Sequence, residues 1–321
     1  MKRIVTLAFA VCVWMTACQT EPTPVPADPP SVQFLPMPVN TPLPDVMAIP
    51  SPTRRSKPDT AITPPVAPTS TPKTSFHTPA SNPAAWKNLP VIPNEIDPSL
   101  SRVYERGLRL GNDPHAFSIF GDCQTRPAEF FGAFETDPEV FESLPPELQE
   151  TVDHFKGSFT RESPTSQDGT TPGSLLWTQW HRGQFSCTFA ETPVECELRV
   201  HRPSFVIIQV GTHFESRNTE YLRKVILQLL DEGVVPILAT KADNREKDER
   251  INRDMSMLAA EYDLPLWNFW AAVSDLPDRG LYTRDDRPLQ GPIYLTEEAA
   301  DRHRMTGLAA LDAVWRAVTG E

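Results

Sequence analysis

The sequence is short of positive charge, of glycine-rich loops and of clustered metal-binding residues. Its 321 residues include 30 Lys and Arg against 42 Asp and Glu, a formal net charge of −12. Binding to nucleic acid needs a basic face that neutralises phosphates, so this balance disfavours a nucleic-acid partner. The chain contains no Gly-rich phosphate loop, and its seven histidines show no metal-site spacing with Cys, Asp or Glu. We therefore expect neither a metal nor an organic cofactor.

Long apolar runs are also missing. The N-terminal run, residues 4–14, is about eleven residues long, too short to cross ~30 Å of hydrocarbon as a helix. It follows Lys2-Arg3 and has the length of a signal peptide. The next residues, Met15-Thr16-Ala17-Cys18, resemble the bacterial lipobox, in which the cysteine is lipidated and becomes the new N-terminus. Residues 1–17 are accordingly predicted to be a lipoprotein signal peptide, and an ordinary signal peptide with an incidental cysteine is the alternative.

A proline-rich segment follows, over residues 18–100. More than half of the 35 Pro lie between Gln19 and Leu100, which rules out regular ladders of backbone hydrogen bonds there. Such sequence favours extended polyproline II, so we predict a disordered tether without a partner of its own. Loss of residues 1–17 removes two positive charges and takes the net charge from −12 to −14. Lipid on Cys18, rather than charge, would then hold the chain outside the cytoplasm on a bacterial membrane.

Residues 101–321 are predicted to form one domain in which strands and helices alternate. Helical spacing runs from Tyr221 to Leu230, with Gly233 as the stop, and from Ile251 to Tyr262; a last helix is predicted after Thr306. This alternation predicts an α/β fold, a doubly wound, flavodoxin-like three-layer sandwich with a mainly parallel sheet. Ligands of such folds bind beyond the carboxyl ends of the strands. The predicted strands are residues 116–120, 204–210, 234–240 and 264–268.

Two of these strand ends carry recognisable motifs. The first strand leads into Gly121-Asp122-Cys123-Gln124-Thr125, and the second into Gly211-Thr212-His213-Phe214. Together the motifs resemble two blocks of the SGNH (GDSL-type) hydrolase family, Gly-Asp-Ser and Gly-x-Asn. The resemblance implies hydrolysis of acyl esters, in which a serine attacks, a histidine removes its proton and an aspartate orients the histidine. It also implies an oxyanion site formed by the nucleophile's N–H, a glycine N–H and the asparagine side chain.

The chain departs from the family at the catalytic positions. Cys123 stands at the nucleophile position and His213 at the position of the oxyanion asparagine. Gly169 is the match for the oxyanion glycine, with Gly173 as the alternative.

The family's C-terminal Asp-x-x-His block is the least well matched. Gly291-Pro292-Ile293-Tyr294 is the best match, which puts Tyr294 at the histidine position. An ordinary tyrosine pKa is near 10, so Tyr294 would be a poor general base. His303, further along the chain, is the alternative base.

Two hypotheses of different classes follow. In the first, hydrolysis has been lost and the domain, expected to be a monomer, binds an acylated sugar, lipid or cell-wall ligand. In the second, Cys123 is a nucleophile with His303 or His213 as its base, because a thiolate needs less activation than a hydroxyl. Ligand contacts are predicted for Asp122 and Gln124, and after the third strand for Lys241, Asp243 and Asn244; a loop that caps the next helix is the alternative for these last three.

The cysteines are interpreted by compartment. Cys12 would leave with the signal peptide and Cys18 would carry the lipid. In an oxidising compartment Cys187 and Cys196 are predicted to form a disulfide that closes an inserted loop, residues 186–197. Cys123 is left unpaired, as a nucleophile or as an inert buried thiol.

Overall fold

A four-stranded parallel sheet lies at the centre of residues 84–321, the part of the chain that the computed structural model describes. The predicted signal peptide, Cys18 and most of the predicted tether lie outside the described residues. All four predicted strands are present, the fourth only two residues long. In order across the sheet they are β1 (Asp113–Gly121), β2 (Pro203–Gln209), β3 (Val235–Ala239) and β4 (Leu266–Trp267).

A further segment pairs with the other edge of β1. Ser166 forms a single parallel bridge with Gly121, whose N–H donates to the Thr165 carbonyl at 2.9 Å. The Thr165 hydroxyl donates to the carbonyl of Ile119, also at 2.9 Å. When the Ser166 segment is counted as a strand, the order across the sheet is Ser166 segment, β1, β2, β3 and β4. Numbered along the chain, this is the order 2-1-3-4-5 of flavodoxin-like sheets. The predicted doubly wound α/β architecture is confirmed, with its second strand reduced to one bridge.

Helices cover both faces of the sheet. The α-helices of the described residues are α1 (Ser99–Leu110), α2 (Ala133–Thr136), α3 (Pro138–Glu142), α4 (Pro146–His154), α5 (Pro193–Val200), α6 (Asn218–Asp231), α7 (Arg250–Glu261), α8 (Phe269–Ala272) and α9 (Glu297–Thr319). Helix α9 contacts α1, α4 and α8, which form one group, and α6 contacts α7, which form the other; β3 contacts helices of both groups. A small antiparallel pair, β5 (Leu281–Tyr282) and β6 (Tyr294–Leu295), completes the fold. Within residues 84–321, every helix is too short or too polar to cross a bilayer.

The strands are buried because they consist mainly of apolar residues. Every residue of β2 and β3 is buried, as expected for parallel strands covered on both faces. Helix α6 buries the apolar positions that its spacing predicts, Leu222, Val225, Ile226 and Leu229. It ends at Asp231, and Gly233 adopts a left-handed φ of 72° that reverses the chain into β3. Helices α6 and α7 thus lie where the helical spacing of the sequence predicts them.

The last helix begins earlier than predicted. It starts at Glu297, where the Thr296 hydroxyl accepts from the N–H of Ala299 at 3.4 Å and two acidic residues occupy the first turn. A threonine cap followed by acidic residues stabilises a helix N-terminus, and this signal outweighs the weak apolar spacing before Thr306. His303 therefore lies inside a helix rather than ahead of one.

The packed domain also begins before residue 101. Trp86 is 4% exposed, and its carbonyl accepts from the side-chain amide of Asn268 at 2.9 Å. The N–H of Asn268 donates to the carbonyl of Val91 at 2.9 Å. The stretch from Trp86 to Val91 thus belongs to the domain and not to the tether.

The predicted disulfide between Cys187 and Cys196 is present. Its surroundings are not simply an inserted loop, because Cys196 lies in α5. Thr192 and Glu195 form a capping box that starts this helix, an N-terminal signal present in the sequence.

Removal of this disulfide by the double substitution Cys187→Ala and Cys196→Ala is expected to lower the free energy of unfolding by about 3 kcal/mol, because the unfolded chain regains loop entropy. Urea unfolding of both proteins at neutral pH measures the difference. A loss well under about 1 kcal/mol would show that α5 and its cap hold this segment without the crosslink.

Candidate functional site

The carboxyl ends of β1 and β2 bring the two motifs to the same edge of the sheet. Gly121 and Gln209, the last residues of these strands, are paired in register. Asp122 follows Gly121 directly, and its carboxylate accepts at 3.3 Å from the N–H of Thr212, three residues after Gln209. Because Cys123 and His213 follow directly on these two bonded residues, both motifs emerge side by side at one rim.

Asp122 connects the two loops rather than facing a ligand. Its side chain is buried; one oxygen accepts from the N–H of Gln124 at 3.3 Å and the other from Thr212. Burial, and then the nearby charge of Asp243, raise the pKa of Asp122 to about 6. The predicted ligand contact is not supported, and the carboxylate instead positions the turn that carries Cys123.

Cys123 is the free cysteine of the described residues and is partly exposed. Burial, followed by the charges of Asp122 and Asp168, raises the pKa of its thiol to about 12. A nucleophilic cysteine needs the opposite surroundings, a cation or an adjacent base. No side chain of the described residues hydrogen-bonds to the thiol. At neutral pH Cys123 is therefore a protonated thiol.

His213 lies in contact with a cation. The guanidinium Nη1 of Arg245 is 3.4 Å from His213 Nδ1 and donates to the carbonyl of Thr212 at 3.3 Å. Burial, and then the Arg245 charge, lower the pKa of His213, so the ring is neutral. Because Nδ1 faces a donor, the proton resides on Nε2. His213 can donate from Nε2 as an asparagine amide would, but in this tautomer it is a poor base.

Arg245→Met is expected to raise the pKa of His213, since the variant removes a cation that opposes protonation of the ring. Titration of the histidine ring by NMR measures the shift. Arg109→Met is the matched control, because Arg109 lies in α1, ahead of the amino end of β1 and thus at the opposite edge of the sheet. An unchanged His213 titration would contradict the contact.

The buried position of His303 contradicts its predicted role as the alternative base. It is fully buried in α9, its ring centroid 4.2 Å from that of Phe130 and 4.5 Å from that of Phe269. Nε2 lies 2.5 Å from the side-chain oxygen of Gln209, and burial lowers the pKa to about 3. A neutral ring sealed in the core cannot exchange protons with a substrate at the rim.

The C-terminal block lies next to the nucleophile loop. The side-chain amide of Gln124 donates to the carbonyl of Ile293, so Gln124 is engaged with the protein's own backbone. The hydroxyl of Tyr294 donates to Gln290 and accepts from Arg287 at 3.4 Å. The structure thus places Tyr294 near the loop that carries Cys123, but its hydroxyl is hydrogen-bonded to Gln290 and Arg287 and not to Cys123.

Two of the residues after β3 do not line a cleft. The Nζ of Lys241 donates at 2.7 Å to the carboxylates of both Asp243 and Glu246, and all three side chains are buried. The other oxygen of Asp243 accepts from the hydroxyl of Thr212 at 2.8 Å. Lys241 and Asp243 therefore form a buried network that supports the loop carrying His213, which corrects their prediction as ligand contacts.

Asn244 agrees with the loop alternative. Its side-chain oxygen accepts from the N–H of Glu249 at 3.0 Å, directly ahead of α7. Asn244 therefore closes the loop between β3 and α7.

Of the two oxyanion glycines, Gly169 keeps the better position. The N–H of Gly173 donates to the Glu215 carboxylate at 2.7 Å, so it is already occupied. Gly169 follows Asp168, whose charge helps to raise the pKa of Cys123 and partly offsets the lowering of the His213 pKa. The turn with Gly169 thus lies within electrostatic range of the rim, although no hydrogen bond joins it to Cys123 among the described residues.

Two charged residues at this rim, Asp168 and Arg245, were not predicted from the sequence. Arg126 and Asp168 approach to 3.6 Å, and Arg245 contacts His213. Charges in loops are usually solvated, so only their positions shortly after strand ends could have marked them. The described His, Cys, Asp and Glu residues form no group of three that could hold a metal ion.

Comparisons with known proteins give structural neighbours only. No protein-family model matches the chain, and no curated protein matches it. A GDSL-like lipase of Bacteroides thetaiotaomicron is 14% identical, with a TM-score of 0.40 over 67% of this chain and 96% of that one. An acylhydrolase structure of Bacteroides fragilis is also 14% identical, with a TM-score of 0.40 over 68% of this chain and 98% of that one. Likeness of this extent assigns neither a family nor an activity to this chain.

Proposed function

We propose that residues 84–321 form an SGNH hydrolase-like domain that has lost ester hydrolysis and binds an acylated or carbohydrate ligand outside the cytoplasm. A lipid on Cys18 anchors it to a bacterial membrane, and the proline-rich segment acts as its tether. Resemblance of residues 15–18 to a lipobox supports the anchor. The disulfide between Cys187 and Cys196 supports an oxidising compartment.

The observation that carries the loss of hydrolysis is the state of Cys123. Burial, and then the charges of two carboxylates, raise the pKa of its thiol to about 12, whereas a nucleophilic thiol needs a lowered pKa. The two histidines proposed as its base are engaged elsewhere: His303 is sealed in the core, and Nδ1 of His213 faces the guanidinium of Arg245. The rim retains His213 and backbone N–H groups, which suit the recognition of a carbonyl oxygen without attack on it.

The alternative function, hydrolysis with Cys123 as nucleophile, is favoured by one observation. His213 is neutral, emerges beside Cys123 and could donate to an oxyanion from Nε2. That arrangement would supply part of the oxyanion site while leaving the nucleophile without a base.

Exposure of the full chain to an activated short-chain ester separates the two functions. We expect no burst of product above that of the Cys123→Ala variant, because the thiol is protonated and lacks a base. Cys123→Ser is the matched arm that restores the family's nucleophile, and it too is expected to stay inactive. A stoichiometric burst that Cys123→Ala abolishes would establish the hydrolase instead.

A further inference from the structure

A cavity of about 250 Å³ opens next to the rim. We call it the insert cavity, because most of its wall comes from residues 167–185, between the Ser166 bridge and α5. Its polar lining includes Arg126, Gln167, Asp168, Trp180, Arg182 and Gln184. Arg126 follows Cys123 by three positions, and the charge of Asp168 acts on the Cys123 thiol. The insert cavity therefore lies close to the rim at which the proposed ligand would bind.

The wall of the insert cavity is held in a strained conformation. Arg182 and Phe185 have left-handed φ values of 52° and 59°, on either side of Gly183 at 72°. Such non-glycine conformations cost about 1–3 kcal/mol each and persist only where the surroundings fix them. His181 supplies one fixed point, because its Nδ1 accepts from the N–H of Gly183 at 3.0 Å and its Nε2 donates to a backbone carbonyl. A disulfide begins two residues after Phe185, so the wall is formed before any ligand arrives.

The lining is rich in donors that lack acceptors. Arg126 Nε and Trp180 Nε1 are buried N–H groups without an acceptor among the described residues. Arg182 forms no ion pair with the rest of residues 84–321, and Arg126 has only Asp168, at 3.6 Å, which is itself 62% exposed. Two guanidinium groups against one carboxylate make the lining positive in a chain of net charge −12. Buried donors without acceptors cost free energy, so an acceptor-rich anion suits this wall.

Size and shape narrow the class of ligand. A water molecule occupies roughly 30 Å³ in the liquid, so the cavity holds roughly eight waters, about the bulk of one substituted sugar ring. The half-buried indole of Trp180 offers an apolar face to ring carbons, while Gln184 offers an amide to hydroxyl groups. Guanidinium groups recognise carboxylates by paired, charge-assisted hydrogen bonds.

We propose that the insert cavity binds a pyranose that carries a carboxylate. Arg126 and Arg182 would hold the carboxylate, and Trp180 would lie against the ring. This proposal names the class of ligand for the proposed function. It rests on that function only in assuming that the domain binds a carbohydrate. Two sources share the chemistry: the uronic acids of polysaccharides and the muramic acid of cell walls.

Calorimetric titration of the full chain with matched sugars tests the proposal. Glucuronic acid is compared with glucose, and N-acetylmuramic acid with N-acetylglucosamine, so that each pair differs in its carboxylate-bearing group. We expect an acidic sugar to bind at least about tenfold more tightly than its neutral match. The arm with the larger preference identifies the source.

Variants locate the binding. Arg182→Gln and Arg126→Gln are each expected to weaken binding of the acidic sugar at least about tenfold and to leave the neutral sugar unchanged. Trp180→Ala should weaken both sugars of a pair. Arg109→Gln, at the opposite edge of the sheet, is the control and should change neither. Arg182 is exposed, so its variant keeps the test valid even if Arg126→Gln fails to fold.

Equal binding of acidic and neutral sugars, absence of binding at millimolar concentration, or binding that Arg182→Gln leaves unchanged would overturn the proposal. None of these results would affect the ester experiment, which depends on Cys123. Conversely, a Cys123-dependent burst would overturn the loss of hydrolysis and leave the preference for a carboxylate intact.

Discussion

Lys241→Met is expected to lower the free energy of unfolding by about 3–5 kcal/mol, because it leaves two buried carboxylates without their cation. The Nζ of Lys241 lies 2.7 Å from both Asp243 and Glu246, and the Lys241 and Asp243 side chains are 3% and 1% exposed. Removal of one partner from such a buried pair costs far more than the pair contributes in net stability. Urea unfolding at neutral pH measures the loss.

The same variant should disturb the rim. Asp243 accepts from the hydroxyl of Thr212, whose N–H in turn binds Asp122. Lys241 is one of the groups that lower the pKa of Asp122, so its removal is expected to raise that pKa above about 6. A carboxyl group with a raised pKa in the folded state favours the protonated folded protein. Its contribution therefore makes stability fall as the pH rises from about 4 through about 6, and more steeply in the variant.

Lys224→Met is the matched control. Lys224 lies on α6 and pairs with Glu220 at 3.1 Å, with both side chains more than 40% exposed. Exposed pairs of this kind contribute little, so the control is expected to unfold like the unmodified chain. A Lys241→Met protein as stable as the Lys224→Met protein would contradict the structural role of the buried network.

Alkylation of Cys123 by iodoacetamide at neutral pH is expected to be about a hundredfold slower than that of a free cysteine. Its pKa of about 12 leaves roughly three thousand times less thiolate than an ordinary pKa near 8.5 does. The greater nucleophilicity of a more basic thiolate recovers about half of this on a logarithmic scale. The measurement uses the full chain with Cys12 and Cys18 replaced by Ser, so that Cys123 is the free thiol.

Three comparisons accompany the measurement of the alkylation rate. The same protein in urea should react as a free cysteine does, because unfolding removes both burial and the nearby charges. Asp168→Asn should speed alkylation of the folded protein by removing a charge that raises the thiol pKa. Asp263→Asn, at the amino end of β4 and thus at the opposite edge of the sheet, should not. Equal rates in the folded and unfolded protein would contradict the protected thiol.

Much of the fold could be predicted because local patterns in the sequence determine its strands and helices. Runs of β-branched and aromatic residues gave the strands, and helical spacing gave α6 and α7. The second strand of the flavodoxin-like order could not be found this way, since a single bridge at Ser166 leaves no periodic pattern. The start of α9 was missed because its signal is a cap at Thr296 rather than apolar spacing.

The site residues could be predicted only where their place directly after a strand fixes where they lie in the fold. Cys123 and His213 lie at the same rim because the strands before them are parallel and adjacent. Whether a charged residue faces solvent or an internal partner depends on loop conformation, which one sequence does not specify. Lys241 and Asp243 therefore turned inward against expectation, whereas Arg245, not singled out, approaches His213.

The ionisation of Cys123 tests the loss of hydrolysis most directly. Thiolate absorbance in the ultraviolet is followed against pH in the full chain with Cys12 and Cys18 replaced by Ser, with the additional Cys123→Ser variant as the blank. A thiol buried beside Asp122 and Asp168, with a pKa of about 12, should give no difference signal until the pH passes about 10. A step in that signal below about pH 8 would show an activated cysteine and contradict the proposed loss of hydrolysis.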